Sequence, residues 1–202
     1  MHTFKHERTG KNCMIELDPD AELLPRIARG DQSAIREMVA KKLSRLLALG
    51  VRMLNDRAEA EDVVQETFLR VWKQAEHWQS GGAKFDTWLH KVALNLCYDK
   101  LRSRKGYTDK DYSYENAPEL IDPALIPEQR LDKSQQGDLI SSALAALPNR
   151  QREALVLQYY QELSNIEAAD LMGVSVDALE SLLSRARRNM RALLAEQGVH
   201  KA

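Results

Sequence analysis

The stretch LSNIEAADLMGVSVDALESLLSRARR, residues 163–188, decides the fold predicted for the C-terminal part of this 202-residue chain. Ser164 followed three residues later by Glu167 is a capping box, which predicts the start of a helix. Gly173 can adopt the left-handed conformation that ends a helix, and Ser175 can cap the next one. Two short helices around a tight turn are typical of a helix-turn-helix, whose second helix enters the major groove of DNA.

The apolar residues of this stretch predict how its two helices pack, since they recur at helical spacing on one side of each helix. The predicted inner residues are Ile166, Ala169 and Leu171 in the first helix and Leu179, Leu182, Leu183 and Ala186 in the second. A plain helical hairpin within a bundle also fits these residues. Arg185, Arg187, Arg188 and Arg191 favour DNA, because they suit phosphate contacts.

Composition predicts a helical, soluble protein of one large or two small domains: 44% of the residues are hydrophobic and only 6% aromatic. No apolar run approaches the roughly 20 residues that cross a bilayer, and the N-terminus lacks a signal-peptide core, so we expect a cytoplasmic protein without membrane insertion. Cys13 and Cys97 lie too far apart in sequence to suggest a disulfide framework. His2, His6 and Cys13 lack a recognised ligand spacing, and we expect no metal or other cofactor.

The formal net charge of −1 hides two basic segments separated by an acidic one. Residues 90–105 carry five basic side chains against the single acid Asp99, and the chain is basic again after Ser184. Between them, residues 107–132 are dominated by Asp and Glu. Local charge decides nucleic-acid binding more than the sum does, so two basic modules with an acidic connector remain compatible with DNA.

Hydrophobic periodicity predicts four helices in a first domain at residues 19–105, after a flexible tail at 1–18. The second helix runs from Ser33 to Leu54, with a stripe at Ile35, Met38, Val39, Leu43, Leu46, Leu47 and Val51. Asp56 and Glu59 form a capping box for the third helix, which runs from Ala58 to Trp72. The fourth runs to Arg104 and carries the stripe Phe85, Trp88, Leu89, Val92, Ala93 and Leu96.

Residues 106–134 contain Pro118, Pro123 and Pro127 and no sustained periodicity, which predicts a flexible acidic linker. Helices resume over 135–196, including one at 150–162, and 197–202 form a short tail. The predicted fold class is all-α, with two small helical domains. Because the linker is long, we expect the domains to stand apart in the free protein.

Three segments carry a resemblance to a known family. They are DVVQETFLRVW at 62–72, FDTWLHKVALN at 85–95 and LPNRQREAL at 147–155, the last leading into the predicted helix-turn-helix. In this order, with a linker between them, they resemble bacterial sigma factors of the extracytoplasmic-function (ECF) class. The resemblance implies a sigma region 2-like domain that docks on the polymerase clamp and opens the −10 element. It also implies a region 4-like domain that reads the −35 element and sits on the polymerase flap.

The resemblance assigns polymerase binding to one face of the third helix, at Asp62, Gln65, Glu66 and Leu69. These residues recur at i, i+3, i+4 and i+7 and form an acidic-polar ridge, suited to charge-assisted pairing with a basic partner. An ordinary solvated helix face is the alternative.

The −10 element is assigned to the loop at 79–84 and the helix after it, because a flipped base needs stacking surfaces, polar groups and cations. The candidates are Lys84, Phe85, Lys91, Asn95, Lys100, Arg102, Arg104 and Lys105. Asn95 is the favoured base reader, with a plain helix-surface amide as the alternative, and Phe85 and Trp88 are alternatively core aromatics.

The −35 element is assigned to the second helix of the helix-turn-helix and the arginines that follow. The candidates are Ser175, Asp177, Glu180, Ser181, Ser184, Arg185, Arg187 and Arg188. Many relatives carry Lys or Arg where this chain has Glu180 and Leu182, so fewer cations are available to guanines here. Glu180 either accepts from a cytosine amino group or faces solvent.

The resemblance therefore predicts a promoter-specificity subunit and no enzyme, with core RNA polymerase, promoter DNA and an anti-sigma factor as partners and a monomeric free state. A stand-alone helix-turn-helix regulator that binds duplex operator DNA is the alternative. A helical enzyme is disfavoured, since the sequence offers no nucleophile–base pair, phosphate-binding loop or metal quartet.

Overall fold

The computed structural model describes residues 20, 22–78, 84–104 and 135–196, excluding the side chains of 135 and 136. Within these ranges the regular structure is entirely helical, as predicted. The predicted tails, most of the −10 loop, Lys105 and the linker lie outside the described residues.

The first bundle consists of α1 (Leu23–Ala28), α2 (Gln32–Leu54), α3 (Arg57–Ala75) and α4 (Phe85–Arg104). Asp31 caps α2 by accepting from the backbone N–H groups of Ser33 and Ala34, and Asn55 ends it with a left-handed φ of 51°. Asp56 caps α3 by accepting from the N–H of Glu59 at 3.0 Å. The Glu59 carboxylate pairs with Arg104 of α4 instead, so it is committed to a tertiary contact.

The second bundle consists of α5 (Gln135–Ala146), α6 (Asn149–Leu155), a π-helical turn (Val156–Tyr160), α7 (Asn165–Met172) and α8 (Val176–Glu196). The predicted helix over 150–162 is thus an α-helix that widens into the π-helical turn before Gln161. Single π turns of this kind often occur at functional positions in helices.

The predicted helix-turn-helix is confirmed down to its caps. Both hydrogen bonds of the Ser164–Glu167 capping box are present, and Gly173 ends α7 in the left-handed region with a φ of 64°. Ser175 Oγ accepts from the N–H of Ala178 at the start of α8.

Two predicted core residues are exposed. Ile166 is 73% exposed, because 100° per residue places it on the far side of α7 from the buried Ala168 and Met172. Leu43 is 42% exposed, because the neighbouring Lys42 occupies the inward position on α2. The ammonium group of Lys42 is held in this inward position by Asp86, at 2.5 Å, and by Asp20.

Helices α2 and α3 approach each other closely at Gly50. A Cβ added to Gly50 of α2 would lie 2.9 Å from Ala60 Cβ and 3.2 Å from Ala60 Cα. Real Cβ atoms do not approach so closely, so this crossing needs a glycine.

The two bundles contact each other, which differs from the expectation that they stand apart. Helix α2 meets α5, α6 and the π-helical turn, and α4 meets α7. Buried polar side chains, among them Arg152, Glu153 and Gln161, contribute to this interface. The spacing of apolar residues along the sequence does not predict which surface covers such polar residues.

Candidate polymerase and DNA interfaces

The four predicted polymerase-binding residues lie together on the outer face of α3, here called the α3 ridge. Asp62 and Gln65 are exposed, Glu66 is half-buried and Leu69 is 44% exposed. The opposite face of α3 carries Val63, Val64, Thr67, Phe68 and Val71, all buried. The helix therefore presents a polar ridge with one apolar side chain at its end.

The α3 ridge borders a shallow groove between α3 and α4, lined by Asp62, Val63, Glu66, Leu96, Asp99, Lys100 and Ser103. Lys100 Nζ of α4 lies 2.9 Å from Asp62 Oδ2, and this hydrogen bond is the main cause of a raised pKa of Lys100. Glu66 pairs with Arg70 one turn further along α3, at 3.0 Å. Asp62 and Glu66 thus each form a salt bridge, and both salt bridges lie on the protein surface.

The predicted −10 residues of α4 fall into two groups. Lys91 and Asn95 are exposed on the outer face of the helix. The basic residues near its C-terminus are engaged within the protein: Arg102 pairs with Asp99, and Arg104 Nη1 donates to the carbonyl of Leu54 at 2.8 Å. Arg104 therefore also holds the end of α2, which gives it a structural role besides any contact with DNA.

Phe85 is 0% exposed, so this member of the predicted −10 set belongs to the core and has no surface to offer a base. Its ring packs against Trp78 at 5.5 Å and against Trp88 at 5.9 Å between centroids. Trp78 and Phe85 lie on either side of residues 79–83 in the sequence, so their contact brings together the two residues that flank the segment assigned to the −10 element. Trp78 was not among the predicted site residues, although an aromatic residue on each side of a Gly-containing segment was an available signal.

The start of α4 is also held by charge. Lys42 of α2 is 8% exposed, and its ammonium group contacts Asp86 in the first turn of α4 at 2.5 Å. Asp20 provides a second carboxylate. Hydrogen bonds to Asp20 and Asp86 raise the pKa of Lys42 although burial opposes them, so it stays charged.

All eight predicted −35 residues are exposed, along the outer face of α8 and at its cap. Leu179, Leu183 and Ala186 form the buried side of α8. One surface contact was not predicted: Asn165 Nδ2 of α7 donates to Glu180 Oε1 at 3.2 Å. Asn165 Oδ1 in turn accepts from Gln158 Nε2 of the π-helical turn at 2.7 Å. Glu180 is therefore oriented by a short hydrogen-bond chain.

Among the described residues, no group of three or more His, Cys, Asp or Glu side chains could hold a metal ion. In the same part of the chain, every helix is too short or too polar to cross a membrane.

Two family models match the chain, one on each bundle. The first is sigma-70 region 2, over residues 38–107, and the second is sigma-70 region 4, over residues 137–190. Together with the helix-turn-helix in the second bundle, these matches define the class: a two-domain protein of the sigma-70 type.

Similar proteins refine this class. The chain is 27% identical over 179 residues to the ECF RNA polymerase sigma factor SigW of Bacillus subtilis (strain 168), covering 86% of this chain and 95% of that one. It is 32% identical over 178 residues to the ECF RNA polymerase sigma factor SigE of Mycolicibacterium smegmatis, covering 87% and 68%. The solved structure of CnrH in complex with the cytosolic domain of CnrY matches with a TM-score of 0.64 at 26% identity, covering 88% and 97%. The chain belongs to the ECF family of RNA polymerase sigma factors.

Proposed function

We propose that this chain binds core RNA polymerase through the α3 ridge and directs it to promoters through α4 and α8. The observation that carries the proposal is the division of surfaces within one small bundle. The α3 ridge is acidic and polar, whereas the adjacent face of α4 presents Lys91 and Asn95 to solvent. A polymerase contact and a DNA contact can thus be made side by side without competing for the same side chains.

The proposed −10 set is Lys84, Lys91, Asn95, Lys100 and Arg102, with Arg104 and Lys105 at the end of the same segment. Asn95 carries an amide that can pair with the edge of an unstacked base, and the cations suit the phosphate backbone. Phe85 is left out because it is buried.

The proposed −35 set is Ser175, Asp177, Glu180, Ser181, Ser184, Arg185, Arg187 and Arg188. The N-terminal half of α8 offers hydroxyl and carboxylate groups for base edges, and its C-terminal half offers arginines for phosphates. This order matches the way a recognition helix enters the major groove.

We further propose that an anti-sigma factor holds the chain inactive in the cytoplasm and that the free chain is a monomer. Support comes from solved structures of similar proteins in complexes: CnrH with the cytosolic domain of CnrY, and the sigma factor RpoE with the anti-sigma factor NepR from Bartonella quintana. Sigma factors are not enzymes, and the chemistry in this proposal belongs to the polymerase.

In vitro transcription tests the proposal. Core polymerase, purified chain and fragmented genomic DNA should yield discrete start sites that share two upstream elements, and core polymerase alone should yield none of them. A stand-alone regulator would instead bind duplex DNA tightly without core polymerase and produce no new start sites.

A further inference from the structure

Three segments of the first bundle meet at the ammonium group of Lys42, on the inner side of α2. Its Nζ donates to Asp86 Oδ1, in the first turn of α4, at 2.5 Å, and it also donates to Asp20, which precedes α1. Lys42 and Asp20 are buried, and Asp86 is half-buried. Within the described part of the chain, Lys42 is the only cation at salt-bridge distance from Asp86. One charged contact thus holds the first turn of α4 to α2.

Stability alone does not explain a buried charge at this place. Removing an ammonium group and a carboxylate from water costs about as much free energy as their attraction returns, so apolar residues of similar volume often stabilise a fold equally well. Burial opposes the charge of Lys42, but hydrogen bonds to Asp20 and Asp86 outweigh burial and raise its pKa. What the ion pair adds over an apolar contact is direction, because a hydrogen bond requires a narrow range of distance and angle.

Apolar packing sets the rotation of α4 about its own axis only loosely. Phe85 and Leu94 are both buried. They are nine residues apart, so at 100° per residue they project from opposite sides of the helix. A helix that is apolar on so much of its surface can turn by a small angle without exposing a large apolar area. A polar contact of fixed geometry can therefore decide the rotation of α4.

The contact with Lys42 lies on the side of α4 opposite the proposed base reader. Asp86 and Asn95 are also nine residues apart, so their side chains project in opposite directions. Asp86 contacts α2, whereas Asn95 is exposed. Lys91, about 140° from Asp86 around the helix, is exposed on the same outer face as Asn95. Any turn of α4 that releases Asp86 from α2 therefore redirects Asn95 and Lys91.

We propose that Lys42 is a positioning residue for reading the −10 element: its contact with Asp86 fixes the rotation of α4 and thereby the direction in which Asn95 faces the DNA. Lys42 itself lies on the inner side of α2 and touches no DNA in this arrangement. The inference rests on the proposed function, because it concerns the same outer face of α4. It adds a residue of another helix on which base discrimination depends.

Asp86→Leu and Lys42→Met test the positioning role, because each removes one side of the contact. Asp86→Leu leaves the buried ammonium group with the Asp20 carboxylate as its partner. Asp86→Asn is the conservative variant, since its amide oxygen can still accept from Lys42. Lys41→Met is the matched control on α2: Lys41 is exposed and pairs with Asp20 at 3.8 Å and with Glu37 at 2.9 Å, neither of them on α4.

The first readout is the ratio of transcription from templates with an intact and an altered −10 element, measured with the full chain at saturating core polymerase. We expect Asp86→Leu and Lys42→Met each to lower this ratio about five- to tenfold, because a misdirected amide loses much of its preference for one base. Asp86→Asn and Lys41→Met should keep the ratio of the parent chain. Because Lys42 acts through Asp86, the double variant should lower the ratio no further than either single one.

The second readout is hydrogen exchange in the free chain, which needs no polymerase. Residues 88–92 carry the first hydrogen-bonded amides of α4, and the Trp88 N–H donates to the carbonyl of Lys84 at 3.2 Å. Exchange at these amides should be about tenfold faster in Asp86→Leu and Lys42→Met and unchanged in Lys41→Met. Far-UV circular dichroism identifies a variant that has unfolded. If Lys42→Met unfolds, Asp86→Leu carries the test.

Three results would overturn the positioning role: an unchanged −10 ratio in well-folded Asp86→Leu, an equal fall of the ratio in Lys41→Met, or transcription that falls alike on both templates. The last is what a general loss of stability produces. A parent chain that shows no preference for the intact −10 element contradicts the proposed function, and hydrogen exchange then decides alone whether Lys42 positions α4. A parent chain that discriminates, with variants that discriminate equally, contradicts the positioning role alone.

Discussion

Lys100 Nζ of α4 lies 2.9 Å from Asp62 Oδ2 of α3, so one salt bridge joins the proposed polymerase surface to the proposed −10 surface. The two side chains are 37% and 64% exposed, and such surface pairs contribute about 0–1 kcal/mol to stability. Either partner can therefore exchange this contact for one with polymerase or DNA at little cost. The salt bridge orients both side chains in the free chain and leaves each of them able to bind polymerase or DNA instead.

Reversing the charge of the α3 ridge should weaken polymerase binding. We expect Asp62→Lys with Glu66→Lys to lower the affinity for core polymerase about tenfold or more, because like charges replace complementary ones across the interface. Binding is measured by fluorescence anisotropy of a labelled chain. Glu76→Lys with Glu196→Lys changes the net charge equally, away from the ridge, and should have little effect. Unchanged affinity of the well-folded ridge variant would remove this face from the polymerase interface.

Asn95→Ala should reduce discrimination at the −10 element. An amide that pairs with a flipped base contributes about 1–3 kcal/mol of preference, which is lost when the amide is removed. Transcription and permanganate reactivity are compared on templates with intact and altered −10 elements. Lys91→Ala, on the same exposed face, is the control: it should weaken all templates equally and reduce the salt dependence. If Asn95→Ala also affects both templates equally, Asn95 contacts only the backbone or stabilises the fold.

Glu180→Gln should change the base preferred within the −35 element. A carboxylate accepts from the cytosine amino group, whereas a glutamine amide pairs with adenine, so selection from a randomised −35 library should move from cytosine toward adenine at one position. Asn165→Ala should weaken the original preference by about 1 kcal/mol, since it removes the hydrogen bond that orients Glu180. Asp177→Asn is the control, because it also removes one negative charge from α8 but leaves Glu180 in place. Identical libraries from Glu180→Gln and the parent would mean that Glu180 faces solvent.

Gly50→Ala should destabilise the first bundle by about 1–3 kcal/mol, because the added methyl group overlaps Ala60 in the crossing helix. Urea unfolding followed by circular dichroism measures the loss. Gly137→Ala adds the same methyl group to α5 where no atom lies within 4 Å apart from the adjacent residues and backbone of its own helix, and it should stabilise the chain by up to about 1 kcal/mol through helix propensity. Equal stability of Gly50→Ala and the parent would show that α2 and α3 can separate without cost.

Most helix boundaries and outer faces could be predicted from the sequence, because they depend on residues a few positions apart. Ser164, Glu167 and Gly173 cap α7 through contacts within the segment itself. The spacing of Asp62, Gln65 and Leu69 places them on one side of α3 whatever α3 packs against. The motifs around these residues likewise identified the family that the two region models show.

Only the tertiary structure decided which polar residues are buried and what covers them. Lys42 is turned inward, and Leu43 outward, by carboxylates at positions 20 and 86, which no local pattern can pair with it. Contacts between the bundles join residues 45 and 161, 53 and 152, and 98 and 153, across a linker that shows no periodicity. The spacing of apolar residues predicts that one face of a helix is buried, but it does not predict which other helix buries it. The contacts between the two bundles therefore followed from the three-dimensional structure alone.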